Sequence, residues 1–177
     1  MLTIHNIIFD KLSNNVSLEG NANEYDEQNR KYIKAGFTDK NTQYYQTFDL
    51  PQEYHDFAKT IFSEYSLSVI KQMPGQIIPE HFDTFYQFSK KINCKKEEVC
   101  RLNFFLESWK SGHYFELLGE PIVKWRKMNF KVIRYNQSHL SGNMGMTPKY
   151  TMQITGLYEE FKRSETYTKS QHQTRYY

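Results

Sequence analysis

The spacing of apolar and polar positions divides the chain into short strands with a few helical stretches. Residues 2–9 are apolar and rich in β-branched side chains, which predicts a first strand. Residues 10–43 then turn polar, with Asn14-Asn15, Asn21-Ala22-Asn23 and a charged run from Asp26 to Lys31. This stretch predicts loops, with at most a short strand around Tyr32-Ile33, serving as a solvated surface or a mobile edge. Pro51 opens a helix, because Tyr54, Phe57, Ala58, Ile61 and Phe62 recur at helical spacing and form one apolar face. Residues 66–73 alternate as a strand, Pro74-Gly75 turns the chain, and Ile77-Ile78 leads into a second strand that ends at His81. Residues 84–91 fit a short helix or a loop. From Val99 onward the pattern is β-rich: 99–106, 113–118, 122–125, 130–135 and 150–156 predict strands, and Ser141-Gly142-Asn143 predicts a loop. A short helix is expected near Leu157 to Phe161, followed by a frayed polar tail over 159–177.

Short strands at regular spacing point to a small barrel or two-sheet jelly roll. The fold class expected is mostly β with flanking helices: a single domain over 1–177 with its core at about 66–157. Composition fits a globular chain of 177 residues that is 38% hydrophobic and 24% charged. Aromatics reach 16%, which suits strands and pocket walls. The net charge of +3 tolerates an anionic ligand, but the basic residues form no long run, so nucleic acid is not the expected partner. Cys94 and Cys100 lack metal-binding spacing and are expected to be reduced thiols in a cytoplasm, a host's if the chain is viral. No signal-peptide pattern and no stretch of about 20 apolar residues is present, so no membrane span is expected.

The candidate chemistry starts at His81-Phe82-Asp83. In a strand, residues i and i+2 point the same way, so one imidazole and one carboxylate project side by side. They make up two-thirds of a 2-His-1-carboxylate facial triad, the set that holds non-haem Fe(II) with open positions. By itself the pair is a weak signal, since a surface His-x-Asp is common. His139 lies at the end of a predicted strand, and a jelly roll brings several strand ends to one mouth, so His81, Asp83 and His139 could meet on one metal. Lys149, at the start of the last strand, could pair with the carboxylate of an anionic cosubstrate.

The ordered set of features resembles the Fe(II)/2-oxoglutarate-dependent dioxygenases, most closely the prolyl-4-hydroxylase-like and small phage-type members. The features are His81-Phe82-Asp83, the run Arg101 to Leu106, Trp109 and Gly112, Trp125, His139 with Asn143, and Lys149 before the run Tyr150 to Gly156. The resemblance covers roughly 66–157 and implies a double-stranded β-helix, a cupin-like jelly roll. It implies Fe(II) on His81, Asp83 and His139, with 2-oxoglutarate chelating the metal and its far carboxylate on a basic residue. It also implies reaction with O2 that releases succinate and CO2 and hydroxylates a substrate, either a protein side chain or a small molecule. Asp83 favours hydroxylation, because a halogenase of this family would lack that carboxylate. The basic anchor is usually Arg; here Lys149 stands at that position and Arg101 is the rival. Phe105 stands where relatives often carry a cosubstrate-contacting Tyr, a contact Tyr86 or Tyr114 could supply. Met128-Asn129-Phe130 replaces the usual Gly-Asp. The alternative from another class is a non-catalytic jelly-roll binding protein, which would be expected to have lost a metal ligand.

Overall fold

The computed structural model describes residues 2–10, 12–14 and 26–167. The strands are β1 (Leu12–Asn14), β2 (Gln43–Thr47), β3 (Ser66–Gln72), β4 (Ile77–Phe82), β5 (Val99–Phe105), β6 (His113–Leu117), β7 (Glu120–Ile122), β8 (Phe130–Arg134), β9 (Ser138–Asn143) and β10 (Lys149–Leu157). The helices are α1 (Asp26–Lys34), α2 (Gln52–Lys59), α3 (Tyr86–Ile92) and α4 (Tyr158–Arg163). One sheet has the order β1-β2-β3-β10-β5-β8 and the other β4-β9-β6-β7. From β3 onward the chain crosses back and forth between the sheets, and the pairings are antiparallel. This is a double-stranded β-helix, the cupin-type jelly roll, with a few flanking helices.

The period-2 pattern of β3, β5 and β10 explains where the core sits. Leu67 and Val69, Leu102 and Phe104, and Met152 and Ile154 point to one face of the larger sheet and are buried there. Tyr54, Ala58 and Phe62 of α2 and its following turn cover that face together with Phe161 of α4. The alternate positions point between the two sheets and are largely polar: Ser66, Ser68 and Gln72, Arg101 and Asn103, and Lys149 through Thr155. The greasy side of the main sheet therefore lies under the helices, and the space between the sheets is left for a hydrophilic cavity. Phe105, Phe115, Trp125 and Ile133 close one end of that space, where Phe105 and Trp125 stack at 4.0 Å.

Four local expectations are corrected, the first being the strand expected at 122–125, which the structure places at Glu120–Ile122. Residues 2–9 form no strand; Ile7 is buried and Leu2, Ile4 and Phe9 pack on the outer core without ladder pairing. Burial satisfies these side chains, and the Tyr54 hydroxyl donates to the Thr3 carbonyl to hold the segment. The segment around Tyr32-Ile33 is helical within α1, and β1 adds a short strand to the same polar stretch. Ser141-Gly142-Asn143 belongs to β9, which is paired on both sides, by β4 and β6, and this outweighs the turn preference of its residues. The tail beyond 167 lies outside the described residues.

Candidate metal centre and cavity

β4 is the edge of the smaller sheet, the position where a strand tolerates proline, and Pro79 lies inside it. The pairing with β9 shifts between Ile78 and His81, a bulge that re-aims the strand end. Beyond the bulge His81 sits directly opposite His139, and the two imidazole centroids are 4.2 Å apart. Asp83 follows one residue past the strand, on the His81 side by the i, i+2 rule. One ligand atom from each of His81, Asp83 and His139 lies within 4.8 Å of the others.

Both histidines are oriented in the same way. His81 Nδ1 lies 2.7 Å from the Pro79 carbonyl and His139 Nδ1 lies 3.0 Å from the Gln137 carbonyl. A carbonyl only accepts, so each Nδ1 carries the proton and each Nε2 keeps its lone pair, the arrangement that fixes a ligand tautomer. Burial lowers the His81 pKa although Asp83 opposes it, and burial followed by His81 brings His139 down to about 4. Both rings are therefore neutral ligands at neutral pH. Asp83 is held from the other side by Arg101, whose Nη1 donates to Oδ1 at 2.8 Å while its Nε donates to Thr155 Oγ1 at 3.2 Å. Burial pushes the Asp83 pKa up, but Arg101, then His139 and His81, outweigh it and leave the carboxyl below its ordinary value. Phe85, held at φ 51 before α3, places its ring 5.6 Å from the Arg101 guanidinium.

Asp83 Oδ2 and His139 Nε2 are buried and have no hydrogen-bond partner among the described residues. They stand 3.7 Å apart. Buried polar atoms are rarely left unpaired, so these two ask for a shared partner. Two neutral imidazoles and a carboxylate with open positions suit a divalent transition metal, and the donor set fits one.

The centre opens into a cavity of about 380 Å³ between the sheets. Tyr86, on α3, lines its mouth. Arg101 lines it as well, committed to Asp83. Lys149 is 2% exposed and lies deeper, donating to Tyr114 O at 2.6 Å, Ser141 Oγ at 2.5 Å and Gln72 Oε1 at 3.3 Å. Burial lowers its pKa to about 7. Ser141, which does line the cavity, stands between it and the open space. Asn143 lies further along β9, donating to Gln72 O and Thr147 O and accepting from the Gly145 amide, away from the cavity wall. Phe105 is buried against Trp125, and the Tyr114 hydroxyl donates to Glu116. The sequence reading missed the wall itself: Tyr44, Gln46, Ser68, Asn103 and Gln153. For Ser68, Asn103 and Gln153 the signal was polar residues at every second position of strands whose other positions are largely apolar, whereas β2 does not alternate in this way and carried none.

Fold and donor set together define a class, a cupin-type double-stranded β-helix with a His-Asp-His candidate metal centre. No protein-family model matches the chain, and no curated protein matches it. Among solved structures, the chain is similar to a predicted oxalate decarboxylase from Thermotoga maritima, at 15% identity and a TM-score of 0.42 over 65% of this chain and 81% of that one. It is also similar to the Cnp3 cupin domain of Schizosaccharomyces pombe, at 7% identity and 0.41 over 68% of each chain. A Klebsiella pneumoniae protein with a double-stranded β-helix domain is similar at 14% identity and 0.38, over 53% of this chain and 68% of that one.

Proposed function

We propose that the chain is an Fe(II)- and 2-oxoglutarate-dependent oxygenase that hydroxylates its substrate with release of succinate and CO2. The observation that carries this reading is the unpartnered pair Asp83 Oδ2 and His139 Nε2 beside His81 at the wall of an open cavity. When bound, iron with 2-oxoglutarate supplies the activation of O2 and the oxidative decarboxylation that drives hydroxylation. The protein's contribution is positional. The Pro79 and Gln137 carbonyls hold the two imidazole tautomers. Arg101 occupies one oxygen of Asp83 and leaves the other for the metal. Burial keeps both rings neutral, and so able to coordinate, across the physiological range.

Lys149 supports the dicarboxylate part of the reading. It is a buried amine whose charged form is disfavoured by burial and has no carboxylate partner among the described residues, so an anion brought to it would favour that form. Its contact Ser141 is two residues from His139 on the same face of β9, about 7 Å away at strand spacing. That span suits a short diacid held at both ends. Arg101, in contrast, already has a carboxylate.

The protein loaded with Fe(II) is expected to convert 2-oxoglutarate to succinate, slowly even without the substrate that is hydroxylated. Asp83→Ala is expected to abolish this and to weaken Fe(II) binding in an anaerobic titration by at least about 100-fold, since a ligand is worth more than the 10–100-fold typical of its supporting partners. Unchanged Fe(II) affinity would remove the triad assignment. Lys149→Ala is expected to raise the KM for 2-oxoglutarate more than Arg101→Ala does; the reverse ranking would move the anchor to Arg101.

A further inference from the structure

Opposite the metal centre, the inner face of the larger sheet carries a row of neutral polar side chains that the reading above leaves without work. Ser68 of β3, Gln153 of β10 and Asn103 of β5 are direct register partners across three central strands, and all three line the cavity. Asn103 is 2% exposed, yet its Nδ2 has no hydrogen-bond partner among the described residues. A buried amide donor without an acceptor costs stability, so a protein that keeps one facing a cavity has a use for it. On β5 it lies one i, i+2 step from Arg101, about 7 Å along the strand, and Arg101 grips Asp83. On β10 its neighbour Gln153 is four residues from Lys149, about 13 Å away. The row therefore lies near the metal centre and apart from the buried lysine.

We infer that this row is the substrate subsite, and that it recognises a neutral amide, with Asn103 Nδ2 donating to the amide carbonyl oxygen and the Gln153 carboxamide beside it. The charges on the wall argue for neutrality. Among the described residues lining the cavity, Arg101 is the one fixed cation and Asp83 the one carboxylate, and they are paired with each other. A charged substrate group finds no free counter-charge there, whereas carboxamide side chains match an amide donor for acceptor. Also lining the cavity, Phe48 in the loop after β2, Phe82 of β4 and Tyr86 of α3 are 62%, 50% and 48% exposed, giving apolar surface for the rest of the substrate to lie against. The amide can come from a polypeptide or from a free carboxamide. As an account of what is hydroxylated, the inference rests on the oxygenase reading; as a binding site, it stands without it.

The test uses the metal-free chain, so that binding is read independently of turnover. The Asn103 side-chain amide resonances are assigned as the pair missing from Asn103→Leu. One arm titrates capped tripeptides, Ac-Gly-Xaa-Gly-NH2, and the other titrates benzamide. Either arm shifting the Asn103 resonances to saturation supports the amide site and identifies its source. Asn103→Leu is expected to weaken that binding about tenfold, the upper end of what one neutral hydrogen bond contributes. It is also expected to melt, ligand-free, at or above the wild-type temperature, because an unsatisfied buried donor has been removed. The inference is overturned if neither arm moves the resonances, if Asn103→Leu binds as wild type does, or if Asn103→Leu melts well below wild type, which would make Asn103 structural. Binding that survives while wild-type protein with Fe(II) fails to consume 2-oxoglutarate would remove the oxygenase reading and leave the amide site standing.

Discussion

Arg101 shows how one side chain can shape a metal site without touching the metal. It takes Asp83 Oδ1 at 2.8 Å and anchors its own Nε on Thr155, so one carboxylate oxygen is engaged and Oδ2 is left free beside His139. Supporting partners of this kind are typically worth 10–100-fold in metal affinity. Arg101→Met is accordingly expected to weaken Zn(II) or Fe(II) binding by about that factor, read by competition with a chromophoric chelator. Arg101→Lys should recover little, because a single ammonium cannot hold Thr155 and Asp83 together in the planar fork geometry. An affinity unchanged in Arg101→Met would make the ion pair incidental to the site. His81, Asp83 and His139 were legible in the sequence from strand spacing and order. The role of Arg101 was not, because its partner comes from the opposite sheet 18 residues away and no local pattern records that crossing.

At the scale of elements, legibility followed the strength of alternation. β3, β5 and β10 separate apolar from polar positions cleanly, and each was recognisable as a strand. β9 reads Ser-His-Leu-Ser-Gly-Asn, a run of turn formers whose inward residues are all polar because they serve the site and the Lys149 pocket. α1 was hidden for the opposite reason: it is polar nearly all round, and Tyr32, whose hydroxyl donates to Glu80 O beside the metal-binding strand end, is its one buried apolar side chain among those described. The junction of the two layers can be tested at Gly156 of β10. A Cβ there would lie 2.3 Å from Phe62 Cδ1, in the turn after α2 that seals the outer core. Gly156→Ala is expected to destabilise by about 1–3 kcal/mol, the usual cost of overpacking, measured by urea denaturation. Adding Phe62→Leu should restore part of the loss if the clash is the cause, and none of it otherwise.

For the molecule as a whole, the buried ionisable groups set a pH profile whose sign can be worked out. His139, lowered from 6.5 to about 4, favours its neutral form in the folded state, so the unfolded chain binds more protons between those values and stability rises with pH through that window. His81 and Asp83, both lowered, act in the same direction, so the metal-free protein is expected to lose stability as the pH falls. Lys149, lowered from 10.5 to about 7, repeats the argument higher up: above pH 7 the unfolded chain holds a proton that the folded one has released, and stability rises again. Cys100 turns the profile over. Its thiol is raised from 9.0 to about 12 by burial, so above pH 9 the unfolded chain loses a proton that the folded one keeps, and stability falls. The interval from pH 7 to 9 therefore isolates Lys149. The urea midpoint of the metal-free wild type is expected to climb across it, and that of Lys149→Met to stay flat, whatever the absolute cost of leaving Tyr114 O without its donor. Bound 2-oxoglutarate at the ammonium would hold the proton on, so saturating diacid with Zn(II) should flatten the wild-type climb as well. A wild-type midpoint already flat between pH 7 and 9 without ligand would mean that the hydrogen bonds to Ser141, Tyr114 and Gln72 keep Lys149 charged, and would remove the burial-driven loss of its proton from the account of the profile.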